Sequence, residues 1–111
     1  MIEGLVRDYL NNNMTFKAYM EKPPSAPDKY IEIERIGQTE ADFIYTTTLA
    51  IKSIASSLFF AAELNDEVIE VMAKMIELPE INKVRLSTSH NFTDTRKKGY
   101  RYQAIFEITH Y

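Results

Sequence analysis

The sequence predicts one α+β domain spanning residues 1–111, with an antiparallel or mixed sheet of about five strands and two main helices packed on one face. Three observations carry this expectation. Apolar residues recur at helical spacing in two separated stretches and alternate in several others. The helical stretches are not interleaved one for one with the strands, which argues against a doubly wound parallel sheet. The expected order is α-β-β-β-α-β-β.

The chain opens with Ile2, Leu5, Val6, Tyr9 and Leu10 at helical spacing, with Glu3, Arg7 and Asp8 beside them. Asn11-Asn12-Asn13 is expected to stop this helix, because asparagine competes for helical hydrogen bonds. Thr15 to Met20 reads as a short strand, and Pro23, Pro24 and Pro27 make a stiff, extended loop. Tyr30 to Ile36 alternates Ile31 and Ile33 against Glu32 and Glu34, the pattern of a half-buried strand. Gly37-Gln38-Thr39-Glu40 is the expected hairpin connection. Asp42 to Ile54 is rich in β-branched and aromatic residues and reads as a long strand. One face of it holds Phe43, Tyr45, Thr47, Leu49 and Ile51; Ile44, Thr46, Thr48 and Ala50 share the other.

Asn65 followed by Asp66 and Glu67 predicts a capped helix start, with Ser56 to Glu63 as a short helical turn leading in. Leu64, Val68, Val71, Met72, Met75 and Ile76 form its apolar stripe, and Pro79 ends it. Lys83 to Ser89 is a strand with Val84 and Leu86 inward. A polar loop from His90 to Lys98 leads through Gly99 to the last strand, Tyr100 to His110. Its face Tyr100, Tyr102, Ala104, Phe106 and Ile108 is the most apolar of the chain.

Composition bounds the chemistry. A hydrophobic share of 45% suits a packed core and is too high for intrinsic disorder. With no cysteine, disulfides, thiolate metal sites and cysteine nucleophiles are excluded. No apolar run approaches the roughly 18 residues that span a bilayer, so no membrane partner is expected. The N-terminus, with Glu3, Arg7 and Asp8 among its apolar residues, is not a signal peptide. The expected location is inside a cell, or outside it only within a particle. Asn13-Met14-Thr15 and Asn91-Phe92-Thr93 match the glycosylation pattern but carry no meaning without secretion.

Catalytic groups are sparse, and neither an enzyme nor a cofactor is expected. His90 and His110 are the only histidines, and His90 with Asp94 makes half a metal site at most. Gly4, Gly37 and Gly99 form no phosphate-cradling loop. Ser53, Ser56 and Ser57 lack a hydrolase elbow. Glu32 and Glu34 are explained by solvent exposure on one strand face.

Charge is the more informative signal. Formal net charge is −3, which offers no global attraction for nucleic acid. From Glu63 to Glu80 six carboxylates stand against one lysine, and from Lys83 to Arg101 six basic residues stand against Asp94 alone. Two solvated faces would produce this pattern, and so would an interface. The candidate interaction residues are Glu63, Asp66, Glu67 and Glu70 on the acidic side and Arg96, Lys97, Lys98 and Arg101 on the basic side. The mixture of Arg96-Lys97-Lys98 and Arg101 with Tyr100 and Tyr102 also fits a small nucleic-acid-binding module.

The chain resembles the tail terminator, or tail-to-head joining, proteins of long-tailed phages and prophages. The matching features are the opening helix Ile2–Leu10, Tyr30-Ile31-Glu32-Ile33-Glu34-Arg35, Ala61-Ala62-Glu63-Leu64-Asn65-Asp66-Glu67-Val68, and, best of all, Tyr100-Arg101-Tyr102-Gln103-Ala104-Ile105-Phe106-Glu107-Ile108. They follow the family's order over nearly the whole chain, although none is a chemical motif. The resemblance implies a virion subunit, assembled in the bacterial host cytoplasm, that closes into a ring, hexameric as a rule. Such a ring caps the tail tube, ends its polymerisation and joins the tail to the head. The implied partners are further copies of the chain, the tail tube protein and the head-tail connector protein, with DNA only in transit and no cofactor. Another connector or minor capsid role fits the same features. A small enzyme or ligand-binding domain with an unrecognised pocket is the reading of a different class.

Overall fold

The computed structural model describes residues 1–94, Arg96 and 99–111. The expected α+β architecture is present. Helix α1 (Ile2–Asn13) is followed by strands β1 (Ala18–Tyr19), β2 (Tyr30–Ala41) and β3 (Ile44–Ala55). Helix α2 (Leu58–Ala73) runs into a 3-10 turn (Lys74–Glu77), then β4 (Ile81–Asn91) and β5 (Tyr100–His110) close the chain. The five strands form one sheet in the order β1-β2-β3-β5-β4. Only β1 and β2 are parallel, so the sheet is mixed.

Strand register sorts the side chains onto two faces. Leu49 lies opposite Phe106 and Ile51 opposite Ala104, with Ile33 opposite Ile51 on the other flank. These residues point at the helices and form the core with Ile2, Val6 and Leu10 of α1 and Leu64, Val68 and Met72 of α2. The last strand has the bounds read from sequence, and its Ala104, Phe106 and Ile108 are fully or almost fully buried. Tyr9 donates its phenol hydrogen to the Val71 carbonyl at 3.0 Å and so ties α1 to α2.

Several expectations need correction. The first helix passes through all three asparagines and ends at Asn13. Asn11 serves the next element instead: its side-chain oxygen accepts from the Ala18 amide at 2.8 Å, and its amide donates to the Ala18 carbonyl at 3.4 Å. The strand expected over Thr15 to Met20 shrinks to two residues. The hairpin turn is not at residues 37–40, because β2 continues to Ala41 and the turn falls at Asp42 and Phe43, with φ of 52° and 67°. Gly37 instead follows a bulge at Ile36, where the register between Arg35 and Gly37 shifts. Phe43, expected in the strand on the face that holds Leu49 and Ile51, instead lies in the turn and is 85% exposed.

Asn65 does not cap α2. Ser57 does, in extended backbone, its hydroxyl accepting from the Phe60 amide at 3.1 Å. Asn65 lies two turns inside the helix, buried, and its amide donates to the Ser89 hydroxyl at 2.8 Å. The Asn65 side-chain oxygen, which would accept from a backbone amide in a cap, is buried without a hydrogen-bond partner among the described residues. Ile76 and Leu86, expected inward, are exposed. Leu86 shares a row with Phe106, but β4 is the edge strand and α2 lies over β3 and β5.

Candidate interaction surfaces

The acidic candidates form one surface. Glu63, Asp66, Glu67 and Glu70 are spaced three and four residues apart on α2, which puts them on one side of the helix. The core-facing side of α2 is taken by Ala61, Leu64, Val68 and Met72, so the carboxylates face outward. Glu63, Asp66 and Glu70 are exposed and Glu67 is half-buried. None of the four has an ion-pair partner among the described residues. Like charges at this spacing repel and make the stripe a surface that a cationic partner would stabilise.

Of the basic candidates, Arg96 and Arg101 are described. Lys97 and Lys98 lie outside the described residues. Arg96 is folded back on Asp94, its Nε 3.2 Å from the carboxylate, although 88% of its side chain remains exposed. Arg101 is half-buried, and its Nε has no hydrogen-bond partner among the described residues. Its row across the sheet is Tyr30, Ile54, Arg101, on the face away from the helices. The phenol pKa of Tyr30 is raised by burial and by the Glu32 charge, and the Arg101 charge opposes both. Tyr100 and Tyr102 point to the other face, since neighbours along a strand alternate. Arg101 and the two tyrosines are thus divided between two faces. Elsewhere on that helix-free face Lys52 pairs with Glu34 at 2.7 Å and Arg85 with Glu107 at 2.6 Å.

The candidate metal half-site gains no ligands. His90 is exposed, its Nδ1 3.2 Å from the Thr88 hydroxyl, and no group of three potential ligands occurs among the described residues. His110 is buried with both ring nitrogens engaged, Nε2 at 2.8 Å from the Thr47 hydroxyl and Nδ1 at 3.2 Å from the Tyr111 carbonyl. It stacks on Tyr45 with ring centroids 5.6 Å apart. Both border a cleft of about 640 Å³ between the start of α1 and the β2–β3 hairpin, also lined by Arg35 and Gln38. Within it Arg35 pairs with Glu3 at 3.4 Å and bonds Gln38. The second oxygen of Glu3, Oε1, is buried without a hydrogen-bond partner among the described residues.

The surface residues missed in the sequence are apolar. Leu58, Phe59 and Phe60 open α2 at 41, 69 and 39% exposure, and Phe43 tips the hairpin. Lys29 Nζ sits 3.9 Å from the centroid of the Phe60 ring and 5.1 Å from that of Phe16. A signal for the first group was present: three consecutive large apolar residues turn through about 200° on a helix and cannot all face one core. These groups lie at opposite ends of the sheet. The hairpin turn, the start of β4 and the end of β5 share one end. The start of α2 follows the end of β3, where Ala55 meets Tyr100, at the other.

No helix among the described residues is long and apolar enough to cross a membrane. No protein-family model matches the sequence, and no curated protein matches it.

Proposed function

We propose that the chain is a structural subunit of a phage tail, which closes into a ring on the tail tube, ends tube polymerisation and joins the tail to the head connector. The observation that carries this reading is the outward acidic stripe Glu63–Asp66–Glu67–Glu70, unpaired among the described residues of a chain whose Arg96 is turned to Asp94 and whose Arg101 lies on the face away from the helices. A patch of one sign that is not matched by its mirror suits a heterologous contact, in which different surfaces of adjacent copies meet. The resemblance of residues 2–10, 30–35, 61–68 and 100–108 to tail terminators supplies the tube and the connector as partners. In this reading the chain acts by binding alone and requires no cofactor.

Tail length in particles assembled with and without the protein tests the reading. Without it, tails should overrun or fray and fail to join heads. Tails of normal length that still join heads would end the proposal.

A further inference from the structure

Phe43 is anomalous in an isolated fold. It leaves an aromatic ring 85% exposed while its backbone holds φ 67°, a region that disfavours any residue with a side chain. A two-residue hairpin turn with both residues at positive φ ordinarily carries Asn-Gly or Asp-Gly. Here Asp42 is present and the glycine is replaced by phenylalanine.

From the hairpin tip and the apolar start of α2 we infer that Phe43 of one copy docks on the Leu58–Phe59–Phe60 surface of a second copy. Three observations select that occupant. First, the tip and the surface lie at opposite ends of strands twelve residues long, roughly 35 Å apart at 3.3 Å per residue. A tip therefore cannot reach the surface of its own chain. Second, the two are complementary: an aromatic knob meets an aromatic surface in which Phe59 and Phe60 already pack edge to face at 5.8 Å. Third, the charges beside them are opposite. Asp42 adjoins the knob and Glu40 lies near it on β2, while Lys29 lies directly over the Phe60 ring. The positive charge is Lys29 alone, with Asp28 adjacent to it in sequence and Glu63 one turn along α2.

Knob and surface are different patches, so the contact is head to tail and leaves a free knob and a free surface at the ends of any open chain of copies. One aromatic knob buries far less than the roughly 1,200 Å² of a stable pair. Isolated dimers are therefore weak, and the contact counts when several copies are held together. This inference rests on the reading of the chain as a self-assembling subunit and names one contact within it.

The absence of native cysteine makes the contact open to disulfide trapping. Ala41→Cys and Ser56→Cys put exposed thiols beside the knob and the surface and leave Phe43, Phe59 and Phe60 in place. Mixed at high concentration under mild oxidation, the two single variants should form the 41–56 heterodimer. Its yield should exceed by about tenfold that of Ala41→Cys mixed with a Ser87→Cys control, the bias imposed by roughly 1.4 kcal/mol. Lys29→Glu in the Ser56→Cys chain should reduce the yield, and Asp42→Lys in the Ala41→Cys chain should restore it. A 41–56 yield at the control level, or 41–41 dimers in excess of it, overturns the contact. Rings or tail caps formed by Phe43→Asp with normal yield overturn it as well, while leaving the self-assembly reading intact. Tails that end normally without the protein would remove the tail role alone, whatever the cross-linking shows.

Discussion

Phe106 is 2% exposed and lies opposite Leu49 on one side and Leu86 on the other, at the middle of the last strand. Truncation there removes most of a ring from a close-packed layer beneath α2. Phe106→Ala should cost about 3–5 kcal/mol, read from denaturant unfolding. Gln103 is half-buried on the opposite face, between Lys52 and His90. Gln103→Ala should stay within about 0.5 kcal/mol of the parent, as surface substitutions usually do. Equal losses at the two positions would mean that the register of β5 is wrong, because a one-residue slip exchanges the faces.

Polar ties between elements can be tested singly. The Tyr9 phenol links α1 to the carbonyl of Val71 on α2. Burial raises its pKa first, and the nearby Glu77 carboxylate raises it further. The folded protein thus holds this proton more tightly than the unfolded chain does. The stabilisation from Tyr9 is whole below about pH 10, the unperturbed phenol value, and is lost as pH rises through the higher folded value. Tyr9→Phe should melt below the parent at pH 7, with about 1 kcal/mol lost with the hydrogen bond. The gap should close in melts recorded above pH 10, and a gap independent of pH would refute the linkage. Tyr30 and Tyr45, also raised, are common to both proteins and cancel in the comparison. At the hairpin, Phe43→Gly should relieve the left-handed backbone and raise stability by about 0.5–1 kcal/mol, net of the greater entropy of an unfolded glycine. Self-association of the same variant should fall if the knob is used. A lower melting temperature for Phe43→Gly would show that the ring serves the hairpin itself.

For the whole molecule the relevant quantity is the arrangement of charge. Reversing Glu63, Asp66 and Glu70 together to lysine should weaken assembly without changing the melting temperature by more than a few degrees, since all three are exposed. Each contact contributes at most about 1 kcal/mol at an exposed site, so single reversals should have little effect and the triple variant a clear one. Added salt should act in the same direction, because charges beyond about 10 Å are screened at roughly 0.1 M. Ring or tail-cap yield measured by electron microscopy at low and high salt decides the matter. Assembly by the triple variant equal to the parent at low salt would remove the stripe from the interface.

Periodicity by itself determined the element order, a sheet with both helices on one side, and the bounds of β5, because alternation and helical spacing record which face meets the core; the parallel pairing of β1 with β2, which makes the sheet mixed, was not legible there. The acidic stripe was legible for the same reason, as its spacing of three and four matches the helix whose core side Leu64 and Val68 define. Tertiary contact decided the rest. Asn65 became an interior residue because Ser89 on β4 offered it a partner, and Asn11 became the support of β1 in place of a helix stop. The hairpin turn moved from Gly37 to Asp42-Phe43 because pairing with β3 is extended by a bulge at Ile36, and a bulge depends on the partner strand. Local sequence encodes which residues seek burial, whereas the partner of a polar group and the neighbours of a surface residue are set by chain segments distant in sequence.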